Sequence, residues 1–445
     1  MTELAYPSRQ ILFFTLSILK SLKSKFKLLA QTQLRAALLL TVFSFCFHPS
    51  VLATKLELGI DVLEANKFSI LKGKRVGLLT HPAGVNRHGE STLSVFQRSP
   101  AVNCVALFGP EHGIYGNEKA NQPIDNQIDS RTGLPIYSLY GRYRRPQAEM
   151  LVNIDCLVID LQDIGVRSYT YISSMLYSME ACFENDVEVV VLDRPNPLGG
   201  IKTDGPMLEV TWKSYVGAFP IPYVHGLTIG ELAILAKSMP NWMSIDPSLR
   251  KRGRLKVVPM HGWKRNMLWP DTGLQWIPTS PNITSFASVL GYAMTGLGAQ
   301  EGDFSHGIGT AFPFRLLSHP LLSPEQLLRR LKAYGIEGLA YKITKTENVK
   351  GRPVNGVYVG VERWQNCQPT ELSFYMMDCL WSIEPTNPFI ESKNPALFNK
   401  HVGSSHWWQE LTQNVHRPRV KHFLKQWKSE RNSFRKSVQN YLIYN

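Results

Sequence analysis

After residue 54 the chain alternates short continuous apolar runs with stretches of helical period. The runs at 76–80 (VGLLT), 104–108 (CVALF), 156–159 (CLVI) and 187–192 (VEVVVL) are rich in leucine and β-branched residues without strict alternation, the pattern of strands buried on both faces. Between them lie amphipathic stretches at 90–98 and 171–183, the latter with Met175, Leu176 and Met179 at helical spacing. Strands separated by helices predict an α/β fold, a Rossmann-like doubly wound parallel sheet. A further helix is expected over 228–238 (TIGELAILAKS). The Trp-, Pro- and Gly-dense segment 263–282 reads as an ordered loop crossing to a second unit.

From about residue 286 the pattern is α+β, with a helix over 325–334 and a strand over 356–361 (GVYVGV). Residues 55–285 are therefore expected to form the Rossmann-like domain, and 286–445 a smaller α+β domain ending in an amphipathic helix. In that helix Val420, Phe423, Leu424, Trp427, Phe434, Val438, Tyr441 and Leu442 recur at three- and four-residue steps, with Pro418 in its first turn.

The net charge of +14 suggests a polyanion partner until it is divided along the chain. Residues 1–54 carry six Lys/Arg against Glu3 alone, and residues 391–445 carry ten against three acids, so the 336 residues between are nearly balanced. No dense basic stripe follows, and nucleic acid is not expected as a partner. The basic C-terminal residues read as the solvated face of a packed helix. No protein partner is evident.

The N-terminal charges read as targeting. Arg35 precedes the apolar run 36–47, then Pro49 and Val51-Leu52-Ala53, which resembles a secretory cleavage site. Twelve apolar residues are short for a bilayer span. A secreted or periplasmic protein is expected, held to a membrane only if the segment stays uncleaved. Of the cysteines beyond it, Cys104 and Cys156 sit in apolar runs, and a Cys367–Cys379 disulfide is conceivable.

Polar residues cluster just past the carboxyl ends of the expected strands: His81 after the first, Glu111 and His112 after the second, Asp160 and Asp163 after the third, Asp193, Arg194 and Asn196 after the fourth. Open parallel sheets bind ligands at that edge. In FGPEHGIYG the Gly and Pro residues fix a tight turn, and Glu111, half withdrawn beside Phe108 and Ile114, is placed to donate a proton. In DLQDIGVRSYTY, Asp160 can pair internally with Arg167, Asp163 is the better substrate contact, and Tyr169 and Tyr171 can offer a stacking face or pack as core. His81 (THPAG) and His225 (VHGLTIGE) sit at turns. With Asp193 and Glu111 they allow a metal reading, though no fixed metal-binding spacing is present, and no cofactor motif is found. Ser280 in PTSPN lacks a nucleophile elbow.

Seven motifs in order, LLTHPAG, FGPEHGIYG, DLQDIGVRSYTY, DRPNPLGG, PYVHGLTIGELA, IPTSPNI and a GxGT loop followed by PF, resemble the exo-β-N-acetylmuramidases, glycoside hydrolase family 171, formerly domain of unknown function 1343. The resemblance runs from about residue 56 to the C-terminus. It implies a glycosidase of peptidoglycan turnover that acts on peptidoglycan-derived saccharides and releases terminal N-acetylmuramic acid. It places the catalytic glutamate at Glu111 and a cleft-lining set at His81, Asp160, Gln162, Asp163, Arg167, Asp193, Asn196, His225 and Ser280. Asp163 is the nominee for the second catalytic group, and His112 and Tyr169 join the substrate-binding candidates. Where the family commonly reads Glu-Gly-Arg-Gly-Thr, this chain has His306-Gly307-Ile308-Gly309-Thr310. The loop arginine is a natural partner for a lactyl carboxylate. Its loss leaves a non-catalytic cell-wall sugar binder as an alternative, beside a metal-dependent hydrolase, with Arg315 or Arg167 as candidate replacements for the missing guanidinium.

Overall fold

The computed structural model describes residues 56–116, 127–383, 386–414 and 416–445. The expected targeting segment lies outside them. Leu56–Asn445 forms one compact unit. Its strands in chain order are β1 Arg75–Thr80, β2 Asn103–Gly109, β3 Gln127–Ile128, β4 Pro135–Ser138, β5 Cys156–Asp160, β6 Glu188–Leu192, β7 Asp204–Met207, β8 Pro222–Val224, β9 Leu255–Val258, β10 Leu316–Leu317, β11 Leu339–Glu347 and β12 Pro353–Val361.

The main sheet runs β3-β4-β2-β1-β5-β6-β9. All its pairs are parallel except β3–β4 at one edge. The apolar runs behave as their composition dictates: every residue of β5 and β6 is buried, and every residue of β1 except Arg75. Alternate side chains enter two cores. Leu79, Leu157, Ile159, Val189 and Val191 pack under the helices Tyr171–Glu184 and Ile229–Ser238. Val76, Leu78, Val158, Val190 and Leu192 pack on the other face, under Gly59–Ala65 and Thr92–Gln97. The chain builds outward from β1 first through β2 and β4, then returns to the other side for β5, β6 and β9. The switch point, where parallel sheets open a crevice at their carboxyl edge, therefore lies between β1 and β5.

The C-terminal part adds an antiparallel sheet, β10-β12-β11, and helices including Phe286–Thr295, Pro324–Ala333, Thr370–Ile383 and Val420–Val438. In the last of these Val420, Phe423, Trp427, Phe434 and Val438 are buried. Trp427 packs on Phe374 and Trp407, so the apolar stripe is a packing face. Two expectations change. The helix starts at Val420, with Pro418 outside its N-cap residue Arg419. Cys367 and Cys379 are both free thiols, each buried on its own in the core.

Candidate active site

The turn after β2 carries Glu111. Gly109 ends the strand, and a Cβ there would sit 3.1 Å from the backbone nitrogen of Ile114, so any side chain would crowd the tight turn. His112 and Gly113 follow in left-handed conformation, at φ 74° and 71°. The Glu111 carboxylate accepts a hydrogen bond from Thr170 Oγ1 at 3.0 Å. Among the described residues its other oxygen has no partner. Glu111 is half-buried, whereas Asp160, Asp163 and Asp193 are all at most 5% exposed. Tyr171 opens the helix Tyr171–Glu184 and binds the same turn, its hydroxyl donating to Thr279 O at 2.6 Å and lying 3.4 Å from Glu111 O. Tyr169 donates to Thr279 Oγ1 at 2.8 Å and meets Tyr171 edge to face at 4.9 Å. Burial raises the pKa of both phenols, so each remains a donor. Ser280 is half-buried beside Thr279.

At the switch point the backbone N–H of Gln162 donates to His81 Nε2 at 2.9 Å. That bond requires Nε2 to be unprotonated, so the ring proton sits on Nδ1. Burial first, then the charges of Arg194 and His112, push the His81 pKa well down, and the ring is neutral. It lies edge-on to Tyr171 at 4.6 Å. Asp163 Oδ2 accepts from Gly165 N at 2.7 Å and lies 3.1 Å from His225 Nε2. His225 Nδ1 accepts from Leu227 N at 3.2 Å, which leaves Nε2 to carry the proton and donate it to the carboxylate. Three buried atoms here have no partner among the described residues: His81 Nδ1, Gln162 Oε1 and Asp163 Oδ1. One donor and two acceptors left bare cost several kcal/mol unless water or a ligand meets them, so the three atoms together offer a polar surface to a ligand. A cavity of about 220 Å³ reaches Gln162 and Arg194, roofed by the 85–89 loop and Trp269.

Other candidates are spent internally. Asp160 is fully buried and takes Arg194 Nε at 2.5 Å and NH2 at 2.8 Å, with Thr92 Oγ1 as a third donor. It forms the internal ion pair foreseen, with Arg194 rather than Arg167 as partner. Asp193 accepts from Arg194 N, Gly230 N, Thr228 Oγ1 and Tyr444 hydroxyl. It anchors the helix Ile229–Ser238 and the chain end, and burial raises its pKa to about 6. Asn196 bridges Leu227 O and Leu198 N. Arg167 is wholly buried and donates to four carbonyls, of Pro206, Ile221, His401 and Val402. It staples backbone and does not line a cleft. Arg315 lies over the Tyr358 ring at 4.5 Å and donates to Val359 O, so neither arginine replaces the one absent at Ile308. His112 is buried against this cluster.

Sequence reading missed Thr170, Thr279 and Tyr292. Tyr292 shares a hydrogen bond with Ser168 and stacks edge-on with Tyr169 at 6.2 Å. Thr170 and Thr279 sit next to residues already singled out, but a lone threonine carries no pattern. Among the described residues no three His, Cys, Asp or Glu side chains converge to hold a metal ion.

Comparison with known proteins bears on this arrangement. The family models for exo-beta-N-acetylmuramidase NamZ match residues 76–287 (N-terminal) and 290–444 (C-terminal). The peptidoglycan beta-N-acetylmuramidase NamZ of Bacillus subtilis is 36% identical over 394 residues, 88% of this chain and 92% of that protein. Two crystal structures of DUF1343 family proteins from Bacteroides fragilis superpose with TM-scores of 0.79 and 0.67, at 38% and 27% identity. Each covers 88% of this chain and 99% of its own.

Proposed function

Because the chain belongs to the exo-β-N-acetylmuramidase (NamZ) family of glycoside hydrolases, we propose that it releases terminal N-acetylmuramic acid from peptidoglycan fragments, with Glu111 as general acid and Asp163 as the second carboxylate. The observation that carries this reading is the contrast among four carboxylates at one sheet edge: Glu111 is half-buried with one oxygen unpartnered among the described residues, on a turn built from glycine and proline, while Asp160, Asp163 and Asp193 are withdrawn from solvent. Glu111 protonates the glycosidic oxygen as the bond to the leaving sugar breaks. Thr170 fixes which carboxylate oxygen faces the substrate. His225 and Gly165 N hold Asp163 with Oδ1 bare, the geometry of a carboxylate that stabilises positive charge at the anomeric carbon or orients water. The His81 Nδ1–H supplies a fixed donor for a substrate oxygen.

A second reading, a sugar binder without turnover, is favoured by Ile308, an isoleucine 45% exposed in the loop where the family commonly carries arginine. Incubation with a disaccharide of N-acetylmuramic acid β-linked to N-acetylglucosamine decides between them. Release of the two monosaccharides is the expected outcome. Tight binding with no product after long incubation would replace hydrolysis with the second reading. The same proposal places the protein outside the cytoplasm through residues 1–54, which fractionation of expressing cells checks.

A further inference from the structure

A cavity of about 460 Å³ lies between the 198–203 segment, the 265–271 segment, Trp364 and the helix Val420–Val438. It shares none of the residues gathered around Glu111. Five cations line it, Lys202, Arg265, Lys428, Arg431 and Arg435, against the single carboxylate of Asp271. Two are neutralised from behind: Arg265 by Glu231 at 2.6 Å, and Arg431 by Asp204 at 3.3 Å. Lys202, Lys428 and Arg435 have no carboxylate partner among the described residues. Lys202 donates to the carbonyls of Cys367 at 2.6 Å and Gln365 at 3.4 Å, which leaves one of its three N–H groups for a ligand. It lies 5.1 Å from the centre of the Trp364 ring, and burial lowers its pKa.

The helix concentrates the charge. It carries six Lys/Arg against Glu430 alone. Lys428 and Arg431 stand three apart and Arg431 and Arg435 four apart, so like charges repel along one face. Lys428 and Arg435 are exposed at the cavity wall. The same wall offers apolar and hydroxyl-matching surface. Trp364 is 8% exposed, Leu198 and Leu268 also line the cavity, and the buried Gln368 Oε1 has no partner among the described residues. A carboxylate alone would satisfy one guanidinium. Three cations without a carboxylate partner around a sugar-sized space match a doubly charged group, which Arg binds through its fork and Lys as a point charge.

We infer that this cavity is a second binding site, for a phosphate ester of a sugar or polyol, with the phosphate between Lys202, Lys428 and Arg435 and the hydroxyl-bearing part against Trp364 and Gln368. Free sugar phosphates and the terminal phosphomonoester of a polyol-phosphate oligomer share this chemistry. Calorimetric titration of the full chain with glucose, glucose 6-phosphate and a glycerol-phosphate oligomer, at about 50 and 300 mM salt, tests it, beside the double variant K428E/R435E. Both substitutions are at exposed helix positions. Binding of glucose 6-phosphate that weakens at least about tenfold in the variant and falls with salt upholds the site and assigns it to free sugar phosphates. The same behaviour for the oligomer alone upholds it and assigns it to a polymer. Equal binding of glucose, no binding of any probe, or binding indifferent to charge reversal overturns it. Hydrolysis of the muramyl disaccharide is expected to be unchanged in K428E/R435E, so failure here and failure of the muramidase reading are separately visible.

Discussion

Replacing Arg167 by methionine separates a structural guanidinium from a substrate-binding one. The side chain is fully buried, and burial without a carboxylate partner pushes its pKa down to about 9. Its four carbonyl partners come from the β7–β8 hairpin region and from residues 401–402, at 2.8 to 3.1 Å. Taking the low end of the range for a charge-assisted bond, roughly 1.5 kcal/mol net, the four together contribute about 6 kcal/mol. Methionine keeps most of the stem's packing and removes the cost of an unpaired buried charge, which offsets part of that loss. The expected destabilisation is about 3 kcal/mol, with the four carbonyls left bare as its main source. Denaturant unfolding of Arg167→Met should show a lower midpoint at unchanged slope, while KM for a muramyl substrate, assayed where the variant is folded, stays within about twofold. An unmoved midpoint with KM raised about tenfold would refute the staple and return Arg167 to the cleft.

Two further outcomes follow from the geometry. Asp193 has a folded pKa raised to about 6 by burial, above its unfolded value near ~3.9. Its protonated form is favoured by folding, so its contribution is fully present below about pH 4 and is lost as pH rises to about 6, of order 3 kcal/mol in all; Asp193→Asn should flatten that part of the stability profile, and an identical slope in the variant would remove Asp193 as its source. Ile308→Arg should lower KM several-fold for a substrate bearing the lactyl carboxylate and leave an N-acetylglucosamine analogue unaffected, since the gain comes from one ion pair; equal change for both sugars would show that the loop does not reach the carboxylate.

The parts of the fold legible in the sequence are those whose burial leaves a compositional trace. β1, β2, β5 and β6 are central strands, and their uninterrupted apolar runs put them within a residue or two of where they lie. β9, at the sheet edge with Lys256 exposed, and β11, where Lys342, Lys345 and Thr344 interrupt the pattern, have one wet face and left no such trace. The site was legible as a place more than as a set of roles. At the carboxyl edge the structure links Glu111, His81, Gln162, Asp163 and His225 through hydrogen bonds and the Tyr171 ring. The sequence pattern at that edge also took in Asp160, Asp193, Asn196 and Arg167, whose partners lie up to 251 residues away, as with Asp193 and Tyr444. A polar residue beyond a strand end reads the same whether it turns toward ligand or back onto the chain, and only its distant partner decides.

The central claim is that Glu111 delivers the proton to the departing sugar. The most direct measurement compares Glu111→Gln with wild type on two aryl N-acetylmuraminides, one with a poor phenolic leaving group and one with a strongly acidic phenol that needs no proton. The account predicts a loss of at least about a hundredfold on the poor leaving group and a much smaller loss on the acidic one. Equal losses on both, or turnover unchanged on the poor leaving group, would contradict it.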